Sequence, residues 1–246
     1  MDRLDYLKRD SFYTGVSEGV VSNQRIIKML DIVDDELVIV EKGIYSIEKF
    51  IVARRLMYWQ VYLHKTVISA EFMLVKILER AKELARQGVE LFCSPSLRFF
   101  LYNEIGKDDF SKADVIAAFA SLDDYDILGA MKVWVDHDDK VLSRLSDMII
   151  NRKLLKIKVS KTPFSEVELL TEKEMFRDKT GMSLEEAGYF VFSNHMENHA
   201  YNPSLDSINI LYKDGSVLDI TEASDNLNIQ ALTEMVRKHY LCYPSH

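Results

Sequence analysis

Residues 46–87, SIEKFIVARRLMYWQVYLHKTVISAEFMLVKILERAKELARQ, decide the fold class. The stretch holds neither Pro nor Gly, and its apolar residues recur at helical spacing. Strands would instead alternate apolar and polar residues. Ser46, with Glu48 close behind, predicts an N-cap. The reading is two long helices that bend near Lys65.

Moving toward the N-terminus, residues 36–46 (ELVIVEKGIYS) predict a β-hairpin bending at Lys42-Gly43. Residues 22–35 predict a short helix or strand capped by Ser22, and the opening segment a helix with Leu4 and Leu7 on its apolar face and Gly15 as its stop. Moving toward the C-terminus, SPSLRFFLYNEI, SKADVIAAFASL, DYDILGAMKVWV and DKVLSRLSDMIINRKLL each predict a helix, so residues 1–152 read as mostly α. The texture then changes. LLKIKVS and GYFVFS predict strands flanking a helix with Pro163 near its start and Gly181 past its end. SINILYKDGSVLDIT predicts a hairpin turning at Asp214-Gly215, and NIQALTEMVRKHYL a closing helix. The expectation is a mainly α chain: a helical body over residues 1–152 and a small α+β module over 153–246.

Composition narrows the function. The 246 residues are 48% hydrophobic, enough for a sizeable buried core. With 31 Lys and Arg against 39 Asp and Glu, the net charge of −8 argues against nucleic acid and anionic membranes as partners, while leaving room for a local anion pocket. Cys93 and Cys242 lie far apart and read as free thiols of a reducing compartment. The sequence has neither an apolar leader nor a membrane-length apolar run, so the expected location is the cytoplasm.

The opening residues are unusually rich in chemistry. On a helix, Asp2, Tyr6 and Asp10 share one face with Arg3 at its flank, and Arg54, Tyr58 and Tyr62 repeat that spacing on a second helix. Such a set suits an anionic, hydroxyl-bearing ligand, guanidinium for phosphate and Asp or Tyr for sugar hydroxyls, or a Mg²⁺- or Mn²⁺-bound phosphate. Spacing fits surface ion pairs and aromatic packing between two helices equally well, and does not choose.

The segments DRLDYLKRDSFYTGV and ARRLMYWQVYLHKTV resemble the HD-domain phosphohydrolases, in their deoxynucleotide triphosphohydrolase branch. The resemblance covers most of the chain and weakens after residue 152. It implies hydrolysis of a dNTP to deoxynucleoside and triphosphate, at a divalent metal (Mg, Mn, Fe or similar) held by a His, a His-Asp pair and a distant Asp. By the motif D-[KR]-x-D-Y-x-x-R-D, Asp2 would be that last ligand, Arg3 and Tyr6 would meet the triphosphate, and Asp10 the sugar. Arg54 would grip phosphate beside Tyr58, and Tyr62 would lie near the deoxyribose. The family's His and His-Asp ligands belong upstream of Asp2. The resemblance therefore implies an N-terminally truncated chain that holds no metal and carries no catalytic residue of its own, inactive in isolation. Arg25, Lys42, His64, Lys65, Arg152 and Lys156 fall where the family binds an activating deoxynucleotide between subunits, which implies a homo-oligomer, dimer or tetramer. Two other readings stay open: an HD hydrolase of a different nucleotide or phosphoester, and a non-catalytic nucleotide-binding regulator.

Two histidine motifs point elsewhere. His137-Asp138 comes after Asp2, against the family order, and with Asp136 and Asp139 reads as a solvated helix start. His195 and His199 have metal-chelating spacing only if they lie on a helix, which the following AYNPS argues against.

Overall fold

The computed structural model describes residues 2–198, 200–204, 207–225 and 232–245. They fold into two units, one built from Met1–Val67 with His195–His239 and the other from Ile68–Asn194 with Tyr240–His246. The fold is mainly α with small sheets. The compositional boundary at residue 152 falls inside the second unit.

Helix α1 (Asp2–Thr14) buries Leu7 and Ser11 and is followed by a 3₁₀ turn, Ser17–Gly19, and α2 (Asn23–Lys28). The Asn23 side-chain amide donates to the Leu4 carbonyl (2.7 Å), tying α2 to α1. Strands β1 (Leu30–Val33) and β2 (Glu36–Val40) then pair antiparallel. The hairpin turns at Asp34-Asp35, both at positive φ (50° and 63°), and not at Lys42-Gly43 as the sequence suggests. Two successive positive φ values are what a two-residue hairpin turn requires. Gly43 serves contact instead: a Cβ there would lie 2.4 Å from Ile39 Cγ2 and 3.1 Å from Met29 Cβ.

Helix α3 (Ile44–Met57) begins two residues before Ser46, which is therefore not its N-cap. Its Ile47, Phe50, Ile51, Ala53 and Met57 form the unit's core with Leu7, Ile26, Ile39, Tyr201 and Ile210. The predicted bend takes the form of a π turn, Tyr58–Tyr62, in which the Leu63 N–H reaches back to the Tyr58 carbonyl at 2.7 Å.

Helix α4 (Lys65–Arg86) carries the chain into the second unit, burying Ile68, Met73, Ile77, Ala81 and Leu84 along one stripe. Helices α5 (Pro95–Tyr102), α6 (Ala113–Ala120), α7 (Asp124–Trp134) and α8 (Lys140–Ile150) follow as the periodicity predicts. Strand β3 (Lys156–Ser160) leads to α9 (Glu166–Thr180). Ser165 and Glu168 close the start of α9 in a capping box, and Gly181 ends it at φ +70°. Strand β4 (Phe192–Asn198) starts four residues later than GYFVFS suggests, after a helical turn at Leu184–Ala187.

Back in the first unit, β5 (Asn209–Leu211) and β6 (Val217–Asp219) make the predicted hairpin, and β5 pairs parallel with β2 to give the order β1-β2-β5-β6. The chain ends in β7 (Val236–Tyr243), where the sequence predicts a helix; residues 228–231 of that prediction lie outside the described residues. Long-range pairing decides: β7 lies centrally in the order β3-β7-β4, and Tyr240, Leu241 and Cys242 are buried in succession, so both faces of the strand are covered. Among the described residues no helix is long and apolar enough to cross a membrane.

Candidate functional site

The π turn just after α3 carries two phenols in contact. The Tyr58 and Tyr62 rings meet edge to face with centroids 5.1 Å apart, and Tyr6 of α1 joins them at 6.2 Å from Tyr62. π turns recur at functional sites. The Tyr62 phenol donates to Asp10 Oδ2 at 2.7 Å. Above the Tyr58 ring lies the Arg54 guanidinium, its central carbon 5.4 Å from the centroid. Arg54 Nη1 donates to the Ala200 carbonyl (3.0 Å), while Nε is buried with no hydrogen-bond partner.

Five of the predicted ligand-binding residues, Tyr6, Asp10, Arg54, Tyr58 and Tyr62, are thus one connected cluster. Burial raises the Tyr6 pKa and the Tyr58 phenol raises it further, against the pull of Arg54. Burial also raises Tyr62, with the hydrogen bond to Asp10 adding to it. Both phenols therefore stay protonated and act as donors at any physiological pH. A fixed guanidinium beside neutral donors suits an oxyanion with adjacent hydroxyls.

Asp2 and Arg3, one turn earlier on α1, line a cavity of about 460 Å³ in the same unit. Its other walls are mostly apolar: Leu4, Ile26, Leu30, Leu37, Ile39, Ile47, Phe50 and Ile208. Asp2 is exposed. Among the described residues no group of three or more His, Cys, Asp or Glu side chains converges on a metal position.

The six residues assigned to an activating nucleotide are divided between the two units. Arg25, Lys42, His64 and Lys65 belong to the first unit, Arg152 and Lys156 to the second. All six are exposed. Arg25 Nε donates to Ser46 Oγ (3.1 Å), Lys42 lines a cavity of about 400 Å³ with Tyr45, Tyr212 and Lys213, and His64 Nδ1 accepts from the Thr66 N–H (3.3 Å). Arg152 borders a second-unit cavity of about 550 Å³ with Arg144 and Lys153.

The two histidine motifs resolve differently. Asp139 is not solvated: it accepts from the Leu142 N–H as the N-cap of α8 (2.8 Å) and receives a two-point bond from Arg80 (3.1 and 2.6 Å). His195 lies on β4 with its ring 5.9 Å from His239, and His199 lies outside the described residues. The sequence gives no sign of the Ala200 carbonyl as a partner for Arg54, because a backbone acceptor 146 positions away carries no local signature.

Residues 21–92, spanning α2 to the end of α4, match the HD-associated region. A crystal structure of a phosphohydrolase from Bacteroides thetaiotaomicron shares 55% identity and a TM-score of 0.91 over 99% of this chain and 61% of that one. These two findings support the HD superfamily. The Bacillus subtilis protein YwfO is 39% identical over 153 residues, 62% of this chain and 34% of its own length. A deoxynucleoside triphosphate triphosphohydrolase SAMHD1 homolog from Dictyostelium discoideum is 33% identical over 91 residues, 37% of this chain and 18% of its own. The chain thus spans about a third of YwfO and less than two thirds of each of these proteins.

Proposed function

We propose that the first unit forms the phosphate- and sugar-binding side of an HD phosphohydrolase acting on deoxynucleoside triphosphates, water and dNTP giving deoxynucleoside and inorganic triphosphate. The observation that carries this reading is Arg54: a guanidinium held between the Ala200 carbonyl and the Tyr58 ring, with its buried Nε lacking an acceptor. In this assignment Arg54, Arg3 and the Tyr6 phenol bind the polyphosphate. The Asp10–Tyr62 pair faces the sugar, with Tyr58 supporting Arg54 from below. HD phosphohydrolases use divalent metal ions, which polarise the scissile phosphate and activate water. The described residues of this chain do not fit such an ion, since Asp2 offers one exposed carboxylate and several ligands are needed. The isolated chain is therefore proposed to bind nucleotide without turning it over. Regulation by a deoxynucleotide through Arg25, Lys42, His64, Lys65, Arg152 and Lys156, with assembly of copies, belongs to the same proposal and rests on the family resemblance.

Calorimetric titration with dGTP and with inorganic tripolyphosphate tests the groove. Arg54→Ala is expected to weaken both by about tenfold or more, the worth of charge-assisted hydrogen bonds. Equal affinity in the variant would refute the assignment. Release of triphosphate from dGTP by the isolated chain in Mg²⁺ or Mn²⁺ would refute its catalytic silence. Sedimentation velocity with and without dGTP tests assembly, and an unchanged coefficient would count against it.

A further inference from the structure

We propose that Tyr201 is a positioning residue for Arg54, acting through the Ala200 carbonyl; this rests on the phosphate-binding role just assigned to Arg54. An arginine on a helix face has several rotamers, and a ligand that must select one loses affinity in doing so. Arg54 is relieved of that choice by its surroundings. Its Nη1 donates to the Ala200 carbonyl (3.0 Å) and its central carbon lies 5.4 Å from the Tyr58 ring centroid, while its Nε is buried without a partner.

A backbone carbonyl can orient a guanidinium only if it is itself held still. Ala200 is 4% exposed and Tyr201 3%. The Tyr201 N–H donates to the Leu232 carbonyl at 3.3 Å. Its phenol works in both directions, donating to the Asp219 carboxylate and accepting from the Ile208 N–H at 2.8 Å. Asp219 is anchored in turn, since its Oδ1 accepts from the Thr221 N–H (2.9 Å) and hydroxyl (2.7 Å). One phenol thus joins the segment before β5 to the end of β6 and pins the peptide that aims Arg54. The group held by this assembly is an oriented cation with N–H donors to spare, which fits the oxygens of a polyphosphate.

The test is a double-mutant cycle on tripolyphosphate affinity, with thermal melting of each variant to confirm folding. Tyr201→Phe removes the phenolic hydroxyl alone. It is expected to weaken tripolyphosphate binding about three- to tenfold, the cost of ordering one long side chain on binding. In the Arg54→Lys background, where no fork remains to be aimed, the same change is expected to have no further effect. A purely structural role would weaken binding equally in both backgrounds, and that result would overturn the proposal. So would an unchanged affinity in Tyr201→Phe alongside a loss in Arg54→Lys, which would leave the groove assignment standing. Absence of tripolyphosphate binding by the unaltered chain would overturn the groove assignment and this proposal together. If Tyr201→Phe fails to fold, Asp219→Asn, which keeps the Oδ1 acceptor, takes its place in the cycle with the same expected pattern.

Discussion

Replacing Asp139 separates two things that one carboxylate does in the second unit. Its Oδ1 caps α8 through the Leu142 N–H (2.8 Å), and both oxygens engage Arg80, with side chains only 14% and 19% exposed for Asp139 and Arg80. Losing an Asp N-cap to Ala costs about 1 kcal/mol. Breaking a largely buried ion pair costs about 3–5 kcal/mol when the stranded charge has nothing else. Arg80 keeps Glu83 (3.1 Å) and the Tyr189 ring (5.7 Å), so the loss falls below that range, at about 2 kcal/mol. Asp139→Ala should therefore destabilise by about 3 kcal/mol, lowering the melting temperature by roughly 6–12 °C for a domain of this size. Asp139→Asn keeps the cap oxygen and loses the charge, and should fall by about half as much. Burial alone would raise the Asp139 pKa, but the Arg80 hydrogen bond, the Leu142 N–H and the Arg80 and His137 charges together hold it below the usual carboxylate range. The extra stability of the aspartate over the asparagine form is accordingly present above the unfolded pKa of about 3.9, and is lost as pH falls through the lower folded value. Melting curves of the three proteins between pH 7 and pH 2 measure all of this. Identical curves for Ala and Asn would remove the cap from the argument, and a difference between wild type and Asn that survives at the acid end would remove the ion pair.

Tyr62→Phe should cost about 1 kcal/mol in urea unfolding, because Asp10 loses a donor in a half-buried setting; under the proposed assignment it should weaken dGTP more than tripolyphosphate. Gly43→Ala should cost about 1–3 kcal/mol although its backbone angles suit alanine, since the new methyl would overlap Ile39 at 2.4 Å; an unchanged melting temperature would show that the hairpin shifts freely. Burial holds the Cys242 thiol up to about 12, so a thiol reagent at pH 8 should label the more accessible Cys93 first in the native protein. Equal labelling before unfolding would contradict that burial.

What the sequence makes legible is what short-range physics controls. Helices α4 to α9 follow from apolar spacing, the ends of α9 from Ser165, Glu168 and Gly181, and the β5–β6 hairpin from Asp214-Gly215, each a feature whose cause lies within a few residues. The failures share the opposite property. β7 is a strand because β3 and β4 flank it, and nothing in VRKHYLCY alone excludes a helix. The β1–β2 turn falls on two aspartates that must take positive φ, while the nearby glycine that draws attention is reserved for a close contact with Ile39. The cluster of phenols around Arg54 divides along the same line. Tyr6, Asp10, Arg54, Tyr58 and Tyr62 lie at helical spacing on two helices and could be grouped in advance, even though the π turn that carries Tyr58 and Tyr62 could not. The acceptor that fixes Arg54 comes from the far end of the same unit, through a carbonyl any residue would supply. The side chains that would touch a ligand were thus readable, while the backbone that aims them was not. For that reason Tyr201→Phe, at a residue outside the cluster, measures whether the far segment completes the groove or only packs beside it.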